Sequence, residues 1–297
     1  MNGILPLWKP KGHTSHDCVM RIRSLYETKK VGHTGTLDPE VEGVLGICIG
    51  QATKLVPYLT KGSKTYVARV TLGTATETED AQGEVIKQQP VDSSISDEKI
   101  NEVLQQFIGE MVQIPPMYSA IRVNGKRLYE YARANEYVER PERTVTIRTI
   151  ALQGTYEEQT HSFSIEVTCS QGTYIRTLCV DIGAKLGYPA HMSALVRTEA
   201  SSFSKEDAIT FEQLQTAKEA GTLNDYLYPL QRGIGKMEQV EVDEATRTKI
   251  FHGNKLSTPS SVQSFPFAYV YQNQLLAIYD NHPSEDGVVK PVRVFNS

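Results

Sequence analysis

The sequence predicts an α/β protein of the α+β kind. A mixed, mostly antiparallel sheet is flanked by helices, and a small β-rich module follows at the C-terminal end. Three observations carry this prediction. Two alternating runs, "TVTIRTIALQGTYE" and "HSFSIEVTCSQG", follow one another as antiparallel neighbours do. A capped amphipathic segment, "SDEKINEVLQQFIGE", precedes them. Near Ile234–Gln239 the chain changes character, to one short helix and several strand-like runs.

Taken in order, the elements have local causes. "SHDCVMRIRSLY" (Ser15 to Tyr26) reads as a helix with Ser15 as its cap, because Val19, Ile22 and Leu25 recur on one face. "VLGICIG" (Val44 to Gly50) is a short buried strand. "SKTYVARVTLG" alternates Tyr66, Ala68, Val70 and Leu72, the pattern of a half-buried strand. In "SDEKINEVLQQFIGE" Ser96 caps, Asp97 and Glu98 suit the first turn, and Gly109 stands at the end. Ile100, Val103, Leu104, Phe107 and Ile108 form its apolar stripe. "VNGK" signals a hairpin turn. "GTYIRTLCVDIGAKLG" is a turn running into a helix that Gly187 ends, and "HMSALVRTEASSF" returns as a strand. The tail carries a short helix ("DEATRTKIFHG") and strands at Phe267–Tyr271, Leu275–Tyr279 and Val288–Phe295.

Composition narrows the class. The 297 residues are 39% hydrophobic and 22% charged, as in a globular protein. No stretch approaches the roughly 20 apolar residues of a membrane span. The start, "MNGILPLWKPKG", has no secretory pattern. Cys18, Cys48, Cys169 and Cys179 form no C-x-x-C pair and no zinc spacing, so reduced thiols, a cytoplasmic location and no bound metal are expected. Net charge is −4 but unevenly spread. Residues 1–70 carry 10 Lys and Arg against 5 Asp and Glu, and residues 111–150 carry 7 against 4. Residues 71–110 between them carry 2 against 9. Nucleic-acid binding follows the local field rather than the total. Around "VNGK", Arg122, Lys126, Arg127, Arg133, Arg140 and Arg143 interleave with Tyr118, Tyr129, Tyr131 and Tyr137. Basic groups attract phosphates, and aromatic faces can stack on bases.

Several chemistries are absent from the motifs. There is no G-x-x-x-x-G-K-[ST], no G-x-G-x-x-G after a strand and no G-x-S-x-G. What remains is "GHTGTLDPEVEG", with Asp38 set among glycines and followed by Pro39. Glycine admits unusual backbone and close ligand approach, and Pro39 pushes Asp38 toward extended geometry. Such a turn can present one carboxylate as a nucleophile. Glu40 and Glu42 read as exposed loop charges. An ionised nucleophile benefits from a nearby arginine, and Arg176 in "GTYIRT", at another turn-to-element junction, is the candidate.

"KPKGHTSHD", "VGHTGTLDPEVEGVLGICIGQATK", "SKTY", "PPMYSA" with "GKRLYEYAR", and "GTYIRTL" occur in that order over the first two-thirds of the chain. Together they resemble the bacterial tRNA pseudouridine synthase B family. The resemblance implies a pseudouridine synthase catalytic domain over residues 1–236, with an RNA-clasping thumb at about 115–143. It implies a PUA-like RNA-binding domain over 237–297. It further implies isomerisation of uridine-55 in the T-loop of tRNA, with the target base flipped out of its stack. Asp38 is then the nucleophile and Arg176 its ionic partner. Tyr66 packs against the base and takes part in proton transfer, and Leu195 of "HMSALVRT" lines the base pocket. His33 contacts RNA near the flipped base, although it also reads as a loop-stabilising donor. Lys9, Gly35, Asp80 and Tyr174 fall among the substrate-binding residues. "TETEDAQG" departs from the family's T-D-T-x-D-x-x-G, with Glu77 in place of the first Asp. Attack on the sugar C1′ and attack on the base C6 both stay open. The expected partner is the T-stem-loop of tRNA, with no cofactor, no membrane and no protein partner. A guide-RNA-dependent synthase and a tRNA-folding chaperone are the alternatives.

Overall fold

The structure, a computed structural model, describes residues 1–297 apart from Ser93, Ser94, Lys236 and Ser297. The expected domain boundary at Lys236 therefore lies outside the described residues. The chain divides into two compact units: Met1–Glu40 with Val44–Lys61 and Ser201–Ser297, and Val41–Gly43 with Gly62–Ala200.

The first unit is built on strand Gly3–Lys9 and helix Ser15–Leu25. Strand Val31–His33 pairs antiparallel with the strand Glu42–Ile49, His33 opposite Ile47. Ile22, Leu45, Ile47 and Leu214 meet in the core at 0% exposure. Burying side chains of this size stabilises by roughly 1.5–3 kcal/mol each. The expected cap of the first helix is corrected. Thr14, not Ser15, closes it in a reciprocal capping box with Asp17. Ser15 is the first helical residue and is buried, which frees its hydroxyl for a tertiary role.

Within the same unit the C-terminal residues form their own five-stranded sheet. Its order is Gln239–Glu241, Phe267–Tyr271, Gln274–Asn281, Val288–Val294, Leu256–Ser257. Helix Glu244–Phe251 accompanies it. The rings of Tyr269 and Phe267, and of Tyr269 and Tyr279, meet edge to face at 4.9 Å in each pair.

The second unit is a sheet in the order Ala190–Ala200, Lys64–Leu72, Ser162–Cys169, Arg143–Glu157, Gly109–Gln113, every neighbour antiparallel. Glu42–Gly43 pair in parallel with Val196–Arg197, which makes the sheet mixed. Helices Asp97–Gln105 and Ile175–Leu186 pack beside one another and on these strands. Ser96 caps the first, and Gly187 ends the second in left-handed geometry. Gly109 does not end a helix, because the helix stops at Gln105 and Gly109 opens the edge strand. Glu42 is no loop charge either, since it begins a strand and is half-buried, whereas Glu40 is exposed. The basic, tyrosine-rich segment holds a hairpin, Arg122–Val123 with Lys126–Arg127, and helix Leu128–Ala134. Asn124 and Gly125 turn it with φ of 50° and 85°.

Candidate active site

In the first unit, Asp38 is half-buried in a turn whose two flanking residues are pinned from below. Leu37 before it is held through both backbone groups by one hydroxyl. Its N–H donates to Ser15 Oγ at 2.9 Å, and Ser15 Oγ lies 3.2 Å from its carbonyl. The carbonyl of Pro39 after it accepts from Gly12 N at 2.9 Å and from Lys9 Nζ at 3.0 Å. The "KPKGHTS" segment is thus the scaffold of the aspartate turn. Lys9, expected among the substrate contacts, is 0% exposed and also donates to the Pro10 carbonyl. At the other end, Thr34 N donates to the Gly46 carbonyl, and Gly35 N donates to His33 Nδ1 at 3.3 Å. Gly35 has φ of 147°. His33 therefore braces its own turn while its ring stays half-buried.

In the second unit, Tyr66 and Leu195 share one face of the sheet. Tyr66 lies opposite Arg197, and Leu195 opposite the neighbouring Ala68. Directly paired antiparallel residues point the same way, so Tyr66, Ala68, Leu195 and Arg197 form one patch. Tyr66 and Leu195 are each 8% exposed. Arg197 is 1% exposed, and the sequence reading did not single it out. Its signal was present, two residues beyond Leu195 and so on the same strand face. Lys64 is buried in the same strand as Tyr66; burial, and then Arg197, push its ammonium down to about 8.

Arg176 is the second residue of helix Ile175–Leu186 and is 6% exposed. Its Nη1 donates to the Thr78 carbonyl and its Nη2 to the Tyr118 carbonyl, each at 3.0 Å. Its Nε lies 3.9 Å from Asp80 Oδ2. Asp80 accepts from Thr78 Oγ1 at 2.6 Å and from Gln82 N at 2.9 Å. The structure thus brings Asp80 and Arg176 together. Tyr174 is held by the Gln113 amide, which accepts from its N–H and donates to its carbonyl. Beneath, Thr177 Oγ1 donates to Glu79 at 2.7 Å. Burial, and then the charge of Glu79, raise the Asp181 carboxyl to about 6.

In the tyrosine-rich lobe, Arg127 and Arg133 lie over the Tyr129 ring at 5.7 and 5.3 Å, and Lys126 over Tyr131 at 5.3 Å. No helix among the described residues is long and apolar enough to cross a membrane.

Two family models match the chain in succession. Residues 23–175 match the N-terminal domain of the TruB family pseudouridylate synthases. Residues 176–234 match the C-terminal domain of tRNA pseudouridylate synthase B. The fold thus belongs to a pseudouridylate synthase, an isomerase. A protein of Oceanobacillus iheyensis named tRNA pseudouridine synthase B is 55% identical over 99% of this chain and 98% of its own length. Its namesake in Bacillus subtilis is 48% identical over 99% of this chain and 97% of its own. The chain belongs to the TruB family. A solved H/ACA ribonucleoprotein bound to a substrate RNA containing 2′-deoxyuridine superposes with a TM-score of 0.75 at 26% identity, covering 99% of this chain and 85% of the matched one. A Cbf5–Nop10–Gar1 complex gives 0.74 at 27% identity, covering 99% and 84%.

Proposed function

We propose that this chain converts uridine-55 in the T-loop of tRNA to pseudouridine, unaided by a guide RNA. One observation carries the reading. A turn that holds Asp38 by both flanking residues occurs in a chain 55% identical, nearly end to end, to a protein named for this activity. The target base is flipped out of its stack at a cost of a few kcal/mol. Tyr66 and Leu195 provide the apolar surface that receives it. Asp38 attacks C1′ of the sugar or C6 of the base, with Arg176 as its ionic partner. The bond from C1′ to N1 breaks, a bond from C1′ to C5 forms, and the bond to Asp38 breaks to return the free carboxylate. C5 then loses its proton, with Tyr66 taking part, and N1 carries one. Atoms and electrons balance within the substrate, so the reaction calls for no cofactor.

His33 and Gly35 contact the RNA beside the flipped base. Tyr174 and Asp80 act on the substrate side, and Lys9 acts through the carbonyl of Pro39. The lobe at about 115–143 clasps the T-arm through its cations and tyrosines. The five-stranded module within 237–297 is a PUA-like RNA-binding domain, and the enzyme works in the cytoplasm.

The test is pseudouridine formation by the purified chain on a bare T-stem-loop. The native chain should modify it fully, and Asp38→Asn should bind it but form none. Full modification by the variant would remove Asp38 as nucleophile. Activity only with an added guide RNA would favour the guided class. Full cellular benefit from the inactive variant would make tRNA folding the primary role.

A further inference from the structure

Arg176 is oriented by two carbonyls that belong to different segments of the chain. One is Thr78 in the tight turn "TETEDAQG", and the other is Tyr118 at the start of the tyrosine-rich lobe. A guanidinium presents its donors in a rigid fork, so two acceptors at fixed spacing define its plane more closely than one does. A third bond joins the two segments that carry them. Tyr118 Oη donates to Glu77 Oε1 at 2.6 Å, the short length of a charge-assisted hydrogen bond. The contacts close a ring: Arg176 to Thr78, along the chain to Glu77, across to Tyr118, and back to Arg176.

The Glu77 side of the ring is rigid. Glu77 N donates to the Glu84 carbonyl at 2.9 Å. A Cβ on Gly83 would lie 2.4 Å from Thr78 Oγ1, so only glycine lets the turn close this far. Glu79, with φ of 64°, sends its carboxylate inward to Thr177. Glu77 is exposed and sends its own outward to the lobe. It is also the residue at which this chain departs from the T-D-T-x-D-x-x-G pattern, longer by one methylene than the aspartate of that pattern.

We propose that Tyr118 and Glu77 are positioning residues for Arg176, their hydrogen bond fixing the two carbonyls that set the guanidinium plane. This rests on the isomerase reading. It also means that the base of the RNA-clasping lobe and the orientation of a catalytic arginine are one mechanical unit.

The test is single-turnover and steady-state kinetics on a T-stem-loop. Tyr118→Phe removes the donor and keeps the backbone carbonyl. Glu77→Ala removes the acceptor. Glu77→Gln keeps an acceptor oxygen at the same reach. Tyr118→Phe and Glu77→Ala should each lower kcat about ten-fold with KM within about two-fold, the mark of misplaced groups rather than lost binding. The double variant should fall no further than either single one, as members of one ring do. Glu77→Gln should recover most of the rate. Melting temperatures should stay level, because the Glu77 end of the bond faces solvent. Unchanged rates, losses that multiply in the double variant, or a Gln variant no better than Ala would each overturn the proposal. No pseudouridine from the native chain would instead overturn the isomerase reading.

Discussion

At the scale of single residues, the consequential groups are those whose partners lie far away in sequence. Ser15 reads locally as a helix cap, yet its hydroxyl serves both backbone groups of Leu37, 22 residues on. Ser15→Ala would strand a buried N–H and a carbonyl, at about 1–3 kcal/mol. A lower melting temperature should therefore come with a reduced single-turnover rate, because the same bonds fix Asp38. A variant with native stability and rate would show that the turn holds without this clamp. Asp181 makes a prediction that depends on pH. Its carboxyl is raised from 3.8 to about 6 by burial and by Glu79. Between those values the folded form keeps a proton that the unfolded chain has released, so stability falls as pH rises through this window. The penalty is complete above about 6. Asp181→Asn should match the native melting temperature below pH 3.8 and exceed it at neutral pH. A constant offset across the range would place the effect in packing rather than in charge.

At the scale of elements, the parallel pairing of Glu42–Gly43 with Val196–Arg197 depends on a missing side chain. A Cβ on Gly43 would sit 2.2 Å from the Arg197 carbonyl oxygen and 2.6 Å from its nitrogen, and φ there is 125°. Gly43→Ala should cost roughly 2–4 kcal/mol, strain and overpacking combined. It should read as a lower urea midpoint with little change in slope. A native midpoint would mean that the strand shifts to make room at little cost. Strands and helices were legible in the sequence wherever one face alone is buried. Tyr66, Ala68, Val70 and Leu72 alternate inward as their spacing implied, each at 8% exposure or less. Likewise Ile100, Val103 and Leu104 form the buried stripe of a helix. The reading failed where local and tertiary partners compete. Gly109 looked like a helix end but starts a strand, because the helix had already stopped at Gln105. Lys64 and Arg197 were passed over because basic residues are ordinarily solvated. The strand period places Arg197 on the Leu195 face, but its burial, like that of Lys64, is fixed by strand pairing.

At the scale of the whole molecule, the candidate site was legible as letters and not as mechanics. The aspartate turn, the tyrosine strand and the arginine helix could each be named from their motifs. The bonds that hold the Asp38 turn from "KPKGHTS", and the ring that orients Arg176, join segments 22 to 98 residues apart. Charge was legible in the same partial way. A net charge of −4 argues against a polyanionic ligand, whereas the block at 111–150 argues for one. The exposed cations Arg122 and Arg133 belong to that block and make no ion pair with a carboxylate among the described residues. If they neutralise phosphates, tRNA affinity should fall linearly on a log–log plot against salt, each contact adding about 0.9 to the slope on duplex scales. Arg122→Ala with Arg133→Ala should then flatten that slope by about two and weaken binding most at low salt. The rate at saturating tRNA should change little, since the bonds that hold Arg176 run to the Thr78 and Tyr118 carbonyls and involve neither side chain. An unchanged slope would return both arginines to the solvent and leave the attraction to the basic block at 1–70.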